Sequence, residues 1–486
     1  MLRPALASGD ARIQRHVSGD DGRRWWALIA LCLSSLMIGV DGAGVTVAMP
    51  SMQMEFGVSD GAIVWVVNAY LVPYAACRML GGRLGDIFGH RKLFLRGICL
   101  FTVASLGCAG TDTWPLLVVA RLVQGASGAV VITGAIALLV SMFREPVARA
   151  RAIGVYGFVG SGGVAIGMLF GGIATSILNW RWLFLVNFPL GIAVYILATW
   201  TVSEHSDGVR VKTLNIPAAA LATTAVMVLV YGIVEAGRAG WSSSQALVSF
   251  ATAGVALSAF ILLENRTTRP FIPRELWRMR RLQVCLVVIV FSSAAGYAEV
   301  FASFYMQLVL GHPPLQVGLA FLPSSVVTAV VSLGVSTKLA LNLGIKRALV
   351  LALTCSTLGL LLLSRIPVDG EIVMDVLPGL MLLDLGTCIA FNQALLAATS
   401  GVPVRDSGSV SGLLAANSVI GAALGLSVFA SIAHLRARHL LMSAFDTSAA
   451  LCSGYRLAFT VGAVSAAVAG LVAMLLLRLD AQVSDP

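Results

Sequence analysis

The chain has 486 residues, of which 58% are hydrophobic and 12% charged, with a formal net charge of +10. A soluble domain carries about twice that charged share, so the composition excludes an ordinary water-soluble enzyme and indicates a multi-pass membrane protein. The basic excess does not argue for a nucleic-acid partner, because membrane proteins concentrate Lys and Arg in their cytoplasmic loops.

At about 20 apolar residues per crossing, the apolar runs predict about 14 helices. Their rough limits are 25–49, 61–80, 92–110, 115–142, 150–175, 182–202, 214–233, 245–264, 282–310, 315–338, 347–365, 373–399, 408–431 and 455–478. Residues 1–24, with Arg3, Arg12, Arg15, Arg23 and Arg24, read as a polar N-terminal tail. The run after it is too long for a signal-peptide core and contains Asp41, so it reads as a retained first span. With the N-terminus inside, about 24 of the 33 Lys and Arg fall on the cytoplasmic side, which predicts cytoplasmic location for both termini. Lys is scarce beside Arg, a bias of GC-rich bacterial genomes, and the expected location is a bacterial cytoplasmic (inner) membrane. The 8 Cys lie mostly within apolar runs, with no CxxC or Cys/His spacing, so neither disulfides nor a metal site is expected.

In chain order, the first chemically informative residue is Asp41, about two-thirds of the way through the first span. An ionisable group in lipid is costly and should face the protein interior. A carboxyl withdrawn from water there is a candidate proton carrier and a counter-charge for cations. The second run contains WVVNAYL, Trp65–Leu71, whose Asn68 and Tyr70 are candidate cavity residues. Arg78 lies nearer the cytoplasmic end, placed either to snorkel or to meet an acid or an anionic substrate.

The stretch GGRLGDIFGHRKLF, Gly81–Phe94, is a polar island between two apolar runs. Gly82, Gly85 and Gly89 allow a tight turn. Asp86 can accept from a helix N-terminus, and Arg91 and Lys92 suit an anionic surface. It reads as a short loop latching two helices. TKLALNLGIKRAL, Thr337–Leu349, repeats part of its spacing with Leu341 in place of the Asp, a weak internal repeat that suggests two related bundles.

Arg121, in the fourth run, keeps its charge in any protein environment and so requires a partner; Gln124 can present its amide to the same polar centre. In the fifth run Gly163, Gly167 and Gly171 recur every four residues with Gly172 beside them, a stripe for close helix packing. NWRWLFLVNFPLG, Asn179–Gly191, places Trp180 and Trp182 for interfacial anchoring. The second half buries two further acids, Glu299 and Asp384. Glu299 stands near Tyr297, Phe301 and Phe304, an expected aromatic, acidic pocket for a cationic amphipath. Asn392, Gln393 and Asn417 are expected to add cavity polarity, and His434 to His439 reads as an external loop.

Gly82, Leu84, Gly85, Asp86, Gly89, Arg91 and Lys92 match the loop pattern between the second and third helices of the major facilitator superfamily, and the chain resembles that family elsewhere too. DGAGVTVAMP resembles the first-helix motif of its drug:proton antiporters with 14 spans, matching at Asp41, Val45, Val47, Ala48 and Pro50. RLVQGASGA around Arg121, the NWRW run and Phe304–Pro323 are similar to further family segments. Gly167, Gly171 and Gly172 fit the end of the antiporter motif, where Met168 replaces its proline.

The resemblance implies an all-α polytopic membrane protein with the major facilitator fold. Six-helix bundles are expected at 25–202 and 282–478, separated by two extra central helices and a basic connector at 203–281, with a tail at 479–486. It further implies export of amphipathic, cationic or aromatic small molecules, driven by the proton-motive force through alternating access. Asp41, Arg121, Glu299 and Asp384 would couple to protons. Asn68, Tyr70, Gln124, Met168, Tyr297, Glu299, Phe304 and Asn392 would contact substrate. The expected partners are the substrate, protons and the lipid bilayer, for a monomer without cofactor, metal or nucleic acid. The alternative is a dedicated proton-coupled carrier of one metabolite or self-made antibiotic, favoured by Met168 and Arg78. No GxxxxGK[ST] phosphate loop appears, and no His, Cys or acid cluster suggests an enzyme.

Overall fold

Inside hydrocarbon an unpaired backbone group has no water to bond, so apolar runs of this length close their hydrogen bonds within helices. The computed structural model describes residues 7–143, 145–202, 216–240, 242–266, 278–331, 335–400, 402, 404–443 and 445–477, and every regular element among them is helical. The expected tail 479–486 lies wholly outside the described residues, and the basic connector around 266–281 largely so.

The first part of the chain forms α1 (Ala7–Phe56), α2 (Trp65–Phe88), α3 (His90–Ala109), α4 (Trp114–Met142), α5 (Pro146–Ile173) and α6 (Asn187–Thr201). α7 (Ile216–Ala239) and α8 (Ser244–Arg266) follow as a pair packed on each other. The remainder comprises α9 (Arg280–Gly296), α10 (Glu299–Phe304), α11 (Pro314–Ala320), α12 (Leu322–Val330), α13 (Ser336–Leu343), α14 (Ile345–Leu363), α15 (Leu377–Thr399), α16 (Val404–Met442) and α17 (Thr447–Leu476). Among the described residues, 11 helices are long and apolar enough to cross a membrane.

α1 lies along α5, α2 and α3 both pack on α4, and α6 rests against α1 and α3. In the later part α14 packs on α15 and α17, while α9 joins α16 and α17. The two sets meet where α2 touches α16 and where α5 touches α11 and α12.

The α1–α5 contact explains the glycine stripe. A Cβ added to Gly163, Gly167 or Gly171 would lie 2.9, 2.6 or 2.7 Å from the carbonyl oxygens of Leu36, Val40 and Gly44. The stripe therefore lets two backbones touch inside the protein. Gly172 points elsewhere: its Cβ would meet the Pro314 carbonyl at 2.5 Å, in the later half.

Several expected boundaries are corrected. The Gly81–Phe94 island is not a loop, because α2 stays helical through Gly82, Gly85 and Asp86 to Phe88, and only Gly89 breaks it, at φ 91°. The Gly89 amide still donates to the Gly85 carbonyl at 2.9 Å, and the Leu93 amide donates to Gly89 at 3.1 Å. Backbone pairing thus runs up to one glycine and resumes after it, which removes any need for a longer loop. Gly344, at φ 80°, makes the same break between α13 and α14, so the internal repeat holds at this glycine. The ninth predicted span is interrupted at Tyr297–Ala298 and ends in a wide turn, Tyr305–Val309. The stretch expected as an external loop, His434 to His439, is helical within α16. The expected N-terminal tail is helical from Ala7 and continuous with α1.

Candidate functional site

Two polar centres stand out against the apolar interior. The first joins five helices of the early part of the chain. Arg121 of α4 donates through Nη1 to Asp41 Oδ2 of α1 at 2.6 Å, with side-chain exposures of 1% and 0%. The same Nη1 reaches Gln124 Oε1 at 2.6 Å, and Arg121 Nε donates to the Val66 carbonyl of α2 at 2.9 Å. Gln124 Nε2 donates to Asp41 Oδ1 at 2.8 Å and to Ser105 Oγ at 2.7 Å. Asn187, at the start of α6, adds a 2.9 Å hydrogen bond to Asp41 Oδ1. A buried ion pair is tolerated when both charges are satisfied by further hydrogen bonds, and this collar provides them.

From this centre an aromatic column runs along α2. Arg121 Cζ lies 4.4 Å from the Tyr70 ring centroid. Tyr70 stacks on Tyr74 with centroids 5.3 Å apart and planes 18° apart. Arg78 then caps Tyr74, its Cζ 5.2 Å from that ring. The spacing of four residues puts Tyr70, Tyr74 and Arg78 on one helix face. Asn68 does not open into a cavity: it is buried and donates to Ser427 Oγ of α16 at 2.7 Å, tying the two halves.

The second centre lies in the later half. Glu299, the first residue of α10, shares a hydrogen bond with the carboxyl of Asp384 on α15. The Ser324 hydroxyl lies between Asp384 and the Phe321 carbonyl, 3.0 Å away. Both acids are partly exposed although their neighbours along the chain are mostly apolar. Tyr297, in the break before α10, is likewise partly exposed, and its electrostatic neighbours are Glu299, Tyr74 and Arg121. It therefore stands between the two centres.

Other expected site residues are placed differently. Phe304 does not share a pocket with Glu299. Residues two and five positions along a helix turn to its opposite side, and Phe301 and Phe304 instead pack on Tyr455, with centroids 6.1 and 6.3 Å from it. Met168 is buried in the core, and its carbonyl faces Gly318 of the later half. Asn392 is partly exposed, with its amide 3.9 Å from the Cys388 sulfur. Gln393 is buried and donates to the Ser336 carbonyl at 2.7 Å. Of the latch residues, Arg91 donates to the Thr199 carbonyl at 2.8 Å, Lys92 is exposed, and the Asp86 side chain is outside the described set. Trp182 is exposed as expected of an anchor, whereas Trp180 is buried and donates to Glu55 at 2.6 Å.

Sequence reasoning missed Asn187, Ser105 and Tyr74. Asn187 carried a usable signal, a polar amide inside an apolar run, the same signal that marked Asp41. Ser105 carried none.

The family model described as Major Facilitator Superfamily matches residues 31–426. The chain is 31% identical over 463 residues to "Puromycin resistance protein pur8" of Streptomyces alboniger, covering 94% of this chain and 90% of that one. It is 32% identical over 411 residues to "Cephamycin export protein CmcT" of Amycolatopsis lactamdurans, covering 84% of each. It is also 32% identical over 407 residues to "Multidrug resistance protein Stp" of Mycobacterium tuberculosis, covering 83% and 75%. Among solved structures, the nucleoside transporter NupG superposes with a TM-score of 0.66 at 11% identity, covering 93% of this chain and 100% of that one. The human organic anion transporter MFSD10 gives 0.62 at 16%, covering 93% and 99%. At these identities the structural likeness shows the shared fold alone.

Proposed function

We propose that this chain, which belongs to the major facilitator superfamily, exports amphipathic small molecules in exchange for protons by alternating access. It is a multi-pass membrane transporter of small molecules and not an enzyme. Its relatives' names, puromycin resistance and cephamycin export, support antibiotic-like compounds as its substrates.

The observation that carries the exchange is the carboxyl pair Glu299–Asp384. Two carboxyls set this close repel each other when both are ionised, so the pair is suited to take up a proton and to give it up to a cation. A cationic substrate that occupies the pair displaces that proton, and a returning proton displaces the substrate. Competition of this kind couples the inward proton gradient to extrusion.

Asp41 and Arg121 form a second, dry element of the mechanism. Protonating Asp41 removes the charge that holds Arg121, which frees the guanidinium and loosens the joint between α1, α2, α3, α4 and α6. The seam between the halves, made by Asn68–Ser427 and by Gly172 against Pro314, is the surface across which they rock. Gly89 and Gly344 mark the paired latches. The chain would cross the membrane 14 times, counting α2, α7 and the α11–α12 pair with the 11 longer apolar helices. The bundles would be 25–202 and 282–478, with both termini in the cytoplasm of a bacterial inner membrane. One chain contains both carboxyl centres, so a monomer suffices.

Everted membrane vesicles test the reading. On energisation the full-length protein should accumulate ethidium inside the vesicles, and collapse of the pH gradient by nigericin should release it. Accumulation that survives nigericin and valinomycin together, which collapse both the pH gradient and the voltage, would overturn proton-driven export.

A further inference from the structure

Arg121 and Arg78 cap the two ends of one aromatic stack but have different surroundings. Arg121 is sealed, paired with Asp41 and 1% exposed. Arg78 is partly exposed, and among the described residues no carboxylate is paired with it. Snorkelling does not account for its direction. Arg78 lies over Tyr74, which stacks on the buried Tyr70, so the guanidinium turns inward along the column. A guanidinium stacked on a ring keeps its in-plane N–H edge free, and that edge matches a carboxylate or similar anion bidentately.

Tyr74 is partly exposed, and Tyr297 counts both Tyr74 and Glu299 among its electrostatic neighbours. The rings of Tyr74 and Tyr297 are thus flanked by a guanidinium from α2 on one side and by the carboxyl pair on the other. Aromatic faces at the centre with opposite charges at the ends match one chemical class.

We infer that the substrates are zwitterionic aromatic amphipaths. Their flat ring system lies between Tyr74 and Tyr297, their cationic group meets Glu299 and Asp384, and their anionic group meets Arg78. This rests on the exporter reading and adds to it a selectivity residue, Arg78, and a preference for substrates that carry an anion beside the cation, so that a plain cation such as ethidium is carried with lower affinity. A binding site with one free charge of each sign penalises a ligand that leaves either unmatched.

Rhodamine 110 and rhodamine 123 are suitable probes, because they share a cationic ring system and differ only in a free carboxylate against its methyl ester. Binding is read by fluorescence anisotropy on the full chain in nanodiscs, with thermal melting as a check on folding. The wild type should bind rhodamine 110 about tenfold more tightly than rhodamine 123. Arg78→Gln should erase that ratio, and Arg78→Lys should leave an intermediate one, since it keeps the charge without the planar fork. A purely structural role for Arg78 would change both affinities together and leave the ratio intact. Wild-type binding of both dyes with equal affinity overturns the zwitterion inference and leaves the exporter reading standing. Binding of neither dye overturns both.

Discussion

Asp41 and Arg121 are 80 residues apart in the chain and 2.6 Å apart in the folded protein, buried where α1, α2, α3, α4 and α6 meet. Removing one partner leaves the other as an unpaired buried charge, at a cost of about 3–5 kcal/mol. Arg121→Gln should therefore melt far below the wild type in detergent. The double variant Asp41→Asn/Arg121→Gln should recover part of the loss, because neither charge then remains. A double variant that melts as low as the sum of its singles would show that the two residues do not act as a pair.

The sequence marked each of these residues separately, because charge inside an apolar run is visible in one dimension. Their pairing was not visible, since it depends on how α1 and α4 cross. Asn187 is masked in sequence by Trp180 and Trp182, whose interfacial signal outweighs that of a single amide. The Gly81–Phe94 island was recognisable by its glycines and charges. Its conformation was not, because polar residues on the last two turns of a helix resemble a loop in composition. Phe304 was misplaced through nearness in sequence, which a helix converts into opposite faces. The glycine stripe was legible in full as a packing device, although only the structure assigns three of its members to α1 and Gly172 to the later half.

Asn187 offers an independent check on the polar collar. Its amide donates to Asp41 Oδ1 at 2.9 Å within a fully buried site. A hydrogen bond to a charged group contributes about 1.5–3 kcal/mol. Asn187→Ala should lower the melting temperature clearly and slow transport, whereas Asn187→Asp should be worse, since it sets two carboxylates against each other. Equal melting of wild type and Asn187→Ala would remove Asn187 from the centre.

Close approach of α1 and α5 makes a sharp prediction about glycine substitution. A Cβ at Gly167 would lie 2.6 Å from the Val40 carbonyl oxygen, inside any tolerable contact, while one at Gly162 would meet nothing within 4 Å. Gly167→Leu should abolish folded protein, judged by gel-filtration monodispersity in detergent. Gly162→Ala should be recovered at wild-type yield. Equal recovery of both would place the stripe outside the helix contact.

Rocking requires the seam between the halves to open. At one end of the molecule Ser176 Oγ accepts from the Leu315 amide at 2.9 Å, and Gln307 Nε2 donates to the Val47 carbonyl at 2.9 Å. Cysteines at positions 176 and 315, joined by a short bifunctional thiol reagent in a background lacking the native cysteines, should stop transport. A cleavable linker should allow reductant to restore it. Undiminished transport by the fully cross-linked protein would rule out motion at this seam.

The central claim is that protons and substrate compete for carboxyls inside one chain. Its most direct test is proton flux triggered by substrate in proteoliposomes with no imposed voltage, followed by a trapped pH dye. Adding ethidium to wild-type vesicles should drive a proton current against the drug movement. Glu299→Gln and Asp384→Asn should each reduce that current at least tenfold, and Asp41→Asn should abolish it. Ethidium movement across wild-type vesicles with no accompanying proton flux would contradict the account.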